Sequence, residues 1–369
     1  MLYYLAEIIH KMFNPPGFYI FRFLTWRSAL SAITAMVISF WIGPKILRKL
    51  QKDKVGEEIR SDGPQTHLSK AGTPTMGGLI VLVSILVPVL FWADLSNTYI
   101  LLILLATVWM GIVGFIDDYL KAVKKYKKGL VARYKLLNQI LLGLTVSCLI
   151  YFLPEFKNIN SITTIPFFKN FEFDFSYYYI PLMVFIITAT SNAVNLTDGL
   201  DGLAIGCVGI AVMALALISY VSGNEIYSRY LNIIYLPGNG ELTVYCAAVV
   251  GASLGFLWFN SYPAQVFMGD TGSLALGGAI GTLTILVKKE FLLPIVGGIF
   301  FAEALSVIIQ RMYFKYTKKR YGEGRRVFRM APLHHHFEMK GIPEPKIVTR
   351  FYIVAVILAI VTFATFKIR

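Results

Sequence analysis

Charge is what this chain has least of. Only 15% of its 369 residues are Asp, Glu, Lys or Arg, where a soluble domain carries about 25%. With 56% of residues hydrophobic, an ordinary soluble globule is excluded. Cysteine is also scarce. Cys148, Cys207 and Cys246 are scattered in apolar runs with no CxxC pair, so neither a zinc site nor a disulfide framework is indicated. There is no GxxxxGK[ST] loop, no GxGxxG after a strand and no GxSxG, which excludes a P-loop ATPase, a dinucleotide-binding dehydrogenase and an α/β-type serine hydrolase. The first residues lack a basic n-region and an AxA-type cleavage site, so no removable signal peptide is expected. No repeat of fixed period and no low-complexity segment divides the chain, and residues 1–369 are expected to form one polytopic domain.

Long apolar runs take the place of charge. A helix needs about 20 mostly apolar residues to cross the hydrocarbon core of a bilayer. Ten runs reach or approach that length: 23–44, 76–92, 99–116, 136–153, 179–193, 203–221, 242–259, 271–287, 291–312 and 351–366. The fold class predicted is an all-α integral membrane protein of about ten transmembrane helices, which puts both termini on one side. Most of the 35 Lys and Arg fall in the connections after the first, third and ninth runs. By the positive-inside rule those connections are cytoplasmic and both termini periplasmic. The net charge of +14 then reads as basic loops facing anionic lipid and anionic substrates, with no nucleic-acid partner. Gly251-x-x-x-Gly255 and Gly277-x-x-x-Gly281 predict close helix approach.

The predicted cytoplasmic connections carry the polar motifs: GTPTMGG (72–78), DDYLK (117–121), NAVNLTDGLDG (192–202), FNSYPAQVFMGDTGS (259–273) and APLHHHFE (331–338). A carboxylate at the bilayer centre costs about 2.5–3.5 kcal/mol on insertion scales, so these acids must lie at a surface, line a wet cavity or hold a cation. Asp117 and Asp118 are either a solvated helix end or a pair able to hold Mg²⁺, with Lys121 and its neighbours gathering phosphate. Asn192 and Asn195, like Asp198 and Asp201, are three apart; on one helix the four would line a polar stripe. The competing reading is a capping turn, with Gly199 and Gly202 for the bend. Asp270, in MGDTGS, is either a helix N-cap or an acid joined through a metal to phosphate at a helix N-terminus. His334, His335 and His336 follow Arg325, Arg326 and Arg329, and Lys70 stands near Thr73 and Thr75; both groups offer donors to phosphate. Acids, cations and hydroxyls on one membrane face suit magnesium-assisted phosphoryl transfer to a lipid. The external connections are chemically poorer. Residues 158–179 predict a hairpin or interfacial loop, and Pro237 to Gly240 a turn.

On these motifs, spread in order from Gly72 to Glu338, the chain resembles the polyprenyl-phosphate N-acetylhexosamine-1-phosphate transferases. Its HHH segment favours their muramoyl-pentapeptide branch. The resemblance implies that undecaprenyl phosphate attacks the sugar-linked phosphate of UDP-N-acetylmuramoyl-pentapeptide, releasing UMP and forming lipid I with Mg²⁺ as cofactor. It implies Asp117, Asp118 and Asp270 as catalytic residues, with Asp270 a metal ligand and Asp117 and Asp118 further candidates for that role. It implies Lys70, Thr75, Lys121, Asn195, Asp198, Asp201, Asn260, Phe267, Gln310, His334, His335 and His336 as substrate-binding, and a homodimer in the bacterial cytoplasmic (inner) membrane. A phosphate monoester has a second pKa near 6, so a lipid phosphate is mostly dianionic at neutral pH. Charge screening is thereby weighted above proton abstraction by Asp117. Two alternatives stay open. One is a relative using UDP-N-acetylglucosamine. The other is an ion-coupled transporter, which would set its acids near mid-span, often in broken helices.

Overall fold

The computed structural model describes residues 1–13, 15, 17–52, 72–126, 129–167 and 172–367. Inside lipid, every backbone N–H and C=O must be satisfied within the chain, which leaves the helix as the default for an apolar run. The described residues form fourteen α-helices: α1 (Leu2–Phe13), α2 (Leu24–Lys52), α3 (Gly78–Trp92), α4 (Thr98–Ala122), α5 (Ala132–Phe152), α6 (Tyr179–Thr197), α7 (Leu203–Ser222), α8 (Glu225–Leu231), α9 (Leu242–Asn260), α10 (Gly269–Leu286), α11 (Leu293–Val296), α12 (Gly298–Tyr321), α13 (Leu333–Glu338) and α14 (Glu344–Lys367). Each apolar run falls on one of them, except 291–312, which is shared between α11 and α12.

Seven of these helices are long and apolar enough to cross a bilayer. An eighth is added if Glu290–Val296 and Gly298–Tyr321, bent by 85° at the break between them, make one span. The chain is therefore a mostly helical, multi-pass membrane protein. The sequence expectation of about ten also includes the runs on α3 and α10. Of these, α3 has 15 residues, and α10, although 18 residues long, is rich in Gly and Thr.

α10 is the axis of the fold. Every residue from Thr271 to Leu286 is buried, and α3, α4, α6 and α7 pack around it. Small residues permit this. A Cβ added at Gly78 of α3 would collide with the Gly272 backbone, and one at Gly114 of α4 with the carbonyl of Asp270. Gly277 and Gly281 lie against α6, and Gly251 and Gly255 bring α9 against α2 at Ala32 and Ser39, as their spacing predicts. Dispersion is the main attraction left between helices in lipid, so backbone proximity matters more there than in a soluble core.

The two ends of the bundle differ. At one end β1 (Ile162–Thr164) and β2 (Glu172–Asp174) pair antiparallel, with Ile162 opposite Asp174 and Thr164 opposite Glu172. This is the hairpin expected within 158–179. The same end holds the Arg27–Glu241 ion pair, with Arg27 Nη1 donating to Glu241 Oε2 at 2.9 Å. The other end gathers the polar motifs.

Candidate active site

The first turn of α10 organises this site. Gly269 enters the helix at φ +74°, a conformation that disfavours any side chain, and a Cβ there would meet Asp118 Oδ2 and Thr75 Oγ1. The space is needed because Asp118, reaching across from α4, caps the helix. Its Oδ1 accepts from Asp270 N at 3.0 Å, and its Oδ2 accepts from Thr271 N at 2.8 Å and Thr271 Oγ1 at 2.6 Å. Two backbone donors that a helix start leaves unpaired are thereby satisfied, and a carboxylate sits at the positive end of the dipole. The cap therefore comes from Asp118 and not from Asp270, which leaves the Asp270 carboxylate for other partners.

Those partners come from three helices. Lys135 Nζ of α5 lies 2.6 Å from Asp270 Oδ2 and 2.7 Å from Asp117 Oδ2. Lys121 Nζ of α4 bridges the same two acids at 3.3 and 2.5 Å. Asn195 Nδ2 of α6 donates to Asp270 Oδ1 and to Ser273 Oγ, each at 2.8 Å. Asp117 is fully buried, and its Oδ1 accepts from Leu130 N at 2.6 Å. Asp117 and Asp118 are thus not a solvated helix end, and one oxygen from each of Asp117, Asp118 and Asp270 falls within 4.8 Å of the others.

The remaining motifs form the walls. Gly77 N donates to Phe267 O, Gly78 N to Met268 O and Phe267 N to Pro74 O, at 2.7–2.8 Å, which joins the 72–78 loop to the 259–273 loop. Thr75 is buried beside Gly269. Asn260 ties the same loop to the α6–α7 turn: its Oδ1 accepts from Gly202 N at 3.1 Å and its Nδ2 donates to Val266 O at 2.8 Å. Asp201 Oδ2 accepts from Ala264 N at 3.0 Å, and Asp201 N donates to Glu344 Oε1.

The expected polar stripe does not form. α6 ends at Thr197, and Asp198, half-buried with ψ 55°, is already outside it. Asn195 faces Asp270, whereas Asn192 bonds Gln139 Oε1. Gly202, at φ +79°, opens α7 after the turn.

The histidine segment closes the far wall. His334 is buried against Gly199, its N donating to Glu303 Oε1 at 3.2 Å. His335 Nδ1 pairs with Glu338 Oε2 at 2.7 Å. His336 Nδ1 accepts from Arg329 N at 3.1 Å. Burial, then Lys340 and Arg329, hold the His336 imidazole below its ordinary pKa, so the ring is neutral at pH 7. Gln310 Oε1 accepts from Val327 N and Phe328 N at 3.0 and 2.9 Å, which folds the basic 325–329 segment onto α12. Lys70 lies outside the described residues. All five motifs therefore meet at one end of α10.

Comparison with known proteins agrees with this arrangement. Residues 100–288 match the model of glycosyl transferase family 4, and residues 70–82 match signature 1 of the phospho-N-acetylmuramoyl-pentapeptide-transferases. The phospho-N-acetylmuramoyl-pentapeptide-transferase of Chloroherpeton thalassium is 52% identical over 369 residues, covering all of both chains. Those of Salinibacter ruber and Flavobacterium psychrophilum are 50% and 49% identical, again over the whole of both chains. The chain belongs to the phospho-N-acetylmuramoyl-pentapeptide-transferase family.

Two residues of this family member's site escape the sequence reading. Lys135 is one basic residue among several in a positive loop, and only the return of α5 beside α4 singles it out. Glu303 left a readable signal, an acid inside the apolar run 291–312, which in a membrane chain needs a partner. That partner is His334, whose Nδ1 lies 3.3 Å from Glu303 Oε2.

Proposed function

We propose that this chain transfers phospho-N-acetylmuramoyl-pentapeptide from UDP-N-acetylmuramoyl-pentapeptide to undecaprenyl phosphate, releasing UMP and forming lipid I, the first membrane step of peptidoglycan synthesis. The observation that carries the reading is the triad of Asp117, Asp118 and Asp270, threaded by Lys121 and Lys135 where five motifs converge. These acids cluster at one end of the helices, which favours a surface reaction over ion transport through the spans.

The donor set suits magnesium. Three carboxylates, each offering one oxygen within 4.8 Å of the other two, make the hard, all-oxygen donor set that magnesium prefers. Asp118 keeps lone pairs beyond the three donors it serves. Asp270 would be the principal ligand, with Asp117 and Asp118 beside it. When bound, the ion would neutralise phosphate oxygens and make the phosphorus a better electrophile.

The chain's own residues do the rest. In the reaction, an oxygen of the lipid phosphate bonds to the sugar-linked phosphorus, and the bond from that phosphorus to UMP breaks. Lys121 and Lys135 screen the charge brought together when two phosphates approach. Asn195 orients Asp270, and Asp118 fixes the helix start that presents it. Asp117, buried with both oxygens accepting, acts by holding the two ammonium groups. An already dianionic lipid phosphate has no proton for it to remove. Thr75, Lys70, Asp198, Asp201, Asn260, Phe267, Gln310 and His334 to His336 would form the donor-side walls. The site would face the cytoplasm of a homodimer in the inner membrane, with ten helices crossing and both termini outside.

The test uses the purified full chain in detergent with undecaprenyl phosphate, Mg²⁺ and either UDP-N-acetylmuramoyl-pentapeptide or UDP-N-acetylglucosamine, following UMP. Release from the first donor alone is expected. No UMP from either donor overturns the transferase reading, and release from the second alone overturns the sugar.

A further inference from the structure

Glu303 is the one acid of α12, and none of its surface is exposed. A carboxylate in an apolar helix is costly unless it is bonded. Both of its oxygens face His334. Oε1 accepts from His334 N at 3.2 Å, one of the N–H groups that the start of α13 leaves free. Oε2 stands at ion-pair distance, 3.3 Å, from His334 Nδ1. The opposite edge of the buried imidazole meets the α6–α7 turn. A Cβ added at Gly199 would lie 2.2 Å from His334 Nε2, so the hydrogen that stands in its place points at that nitrogen. Such a contact suits a bare lone pair, which accepts a weak C–H bond. A proton on Nε2 would crowd that hydrogen and bury a donor, since Nε2 has no hydrogen-bond partner among the described residues. Two neighbours therefore select one tautomer, with the proton on Nδ1 toward Glu303 and the lone pair on Nε2 toward Gly199.

We infer that Glu303 is a positioning residue for the nucleotide donor. By fixing the tautomer of His334 it lets the Asp198–Gly199 turn close on the ring, and this sets where Asp198 and Asp201 stand. The Asp201–Gly202 end of the turn is tied to Asn260, Ala264 and Tyr352. The Gly199 end rests on His334. His334 thus acts from behind the wall and offers no N–H to phosphate through Nε2. The inference rests on the donor-side role proposed above for this wall.

Glu303→Gln separates positioning from packing. It keeps the size of the side chain and the cap on α13. With its carbonyl oxygen on His334 N, however, its NH₂ faces Nδ1 and donates, which moves the ring proton to Nε2. The full chain, labelled with ¹⁵N at its five histidines, is studied in lipid by solid-state NMR at pH 8, and the His334 signals are assigned by their loss in His334→Asn. The parent should show the Nδ1–H ring and Glu303→Gln the Nε2–H ring. An imidazolium or an Nε2–H ring in the parent overturns the inference. In UMP-release assays, KM for UDP-N-acetylmuramoyl-pentapeptide should rise about tenfold in Glu303→Gln, the equivalent of about 1.4 kcal/mol. KM for undecaprenyl phosphate, kcat and the melting temperature should stay as in the parent. Unchanged KM values, or both KM values rising together with a lower melting temperature, would mark a merely structural acid and overturn the positioning role. Gly199→Ala reaches the ring from the other side and carries the same test should Glu303→Gln fold poorly. Gly199 lies outside the left-handed region, so the added methyl acts by contact alone. It should raise the same KM, and the double variant should show less than the product of the two effects, because both act through one ring. A full product, or no rise in Gly199→Ala, overturns the inference. The NMR arm needs no substrate. A parent that releases no UMP removes the transferase, whereas an active Glu303→Gln with an unchanged donor KM removes the positioning role and keeps the transferase.

Discussion

At one end of α10, Asp270 meets Asp117, Asp118, Lys121 and Lys135. At the other, Lys288, Lys289 and Glu290 lie beneath the β1–β2 hairpin. Both clusters mix acids and lysines, one around the first turn of the buried helix α10 and the other just past its last residue, Leu286, but their access differs. The side chains of Lys121, Lys135 and Asp270 keep 43%, 22% and 16% of their surface exposed. Lys288, Lys289 and Glu290 keep 1%, 2% and 4%. In the sealed cluster the bonds go to scaffold. Glu290 accepts from Thr163 Oγ1 and Tyr179 OH, Lys288 Nζ donates to Tyr179 OH at 3.0 Å, and Lys289 Nζ donates to Thr164 Oγ1 at 2.9 Å. Those bonds pin the hairpin to the end of the axis helix. At the reachable end, two ammonium groups serve the same two carboxylate oxygens, an arrangement that can be re-partnered when phosphate enters. Charge inside a membrane protein therefore takes two roles here, and solvent access separates them.

The sharpest way to break this contrast is to remove one acid from each end. Asp270→Asn should lower UMP release by ~10³-fold or more, about 4 kcal/mol of barrier. Its melting temperature in detergent should stay near that of the parent, because the Asp118 cap on α10 uses backbone and Thr271 donors that remain. Glu290→Leu should do the reverse. It takes the acceptor from Thr163 Oγ1 and Tyr179 OH and the negative charge from beside buried Lys288, and should destabilise the fold by about 3–5 kcal/mol, seen as a lower melting temperature, while UMP release per folded molecule is unchanged. A dead but stable Glu290→Leu would show that the sealed end also takes part in transfer.

Lys135→Met comes next in size. It removes one of two bridges between Asp117 and Asp270, and kcat should fall roughly 10- to 100-fold, about 1.4–2.8 kcal/mol. Lys135→Arg should recover part of it, because the cation returns with a different shape. An unaltered kcat in Lys135→Met would leave Lys121 as the sole working ammonium and demote the bridge to packing.

Lys135 also marks how far the sequence could be read. Apolar runs became helices because lipid allows little else, and their order brought the five motifs to one end. The acids were legible as polar islands in an apolar chain. What was hidden depends on distant partners. Asp118 caps a helix that begins 151 positions later, at Gly269. Lys135 matters only because α5 returns beside α4. The stripe expected of Asn192 to Asp201 failed because α6 stops at Thr197, before the Asp198-Gly199 turn. Periodicity finds a helix better than it finds that helix's last residue.

The smallest effect is a pH response at the reachable end. His336 accepts the Arg329 N–H through Nδ1, which only the neutral ring can do. Its folded pKa is lowered, by burial first and then by Lys340 and Arg329. The unfolded chain, with a pKa near 6.5, therefore takes up the proton first as pH falls. Stability from this group is flat above about pH 6.5 and declines as pH drops below it, through the lower folded pKa. His336→Gln offers a carbonyl oxygen to the same N–H and does not titrate. The melting temperature of the parent, followed from pH 7.5 to 5, should fall by more than that of His336→Gln, and the difference between the two curves should open only below about pH 6.5. Parallel curves would mean that this loop contributes nothing to the pH response. In that case the contrast between a titratable, reachable end and a locked, sealed one would rest on the acid cluster alone.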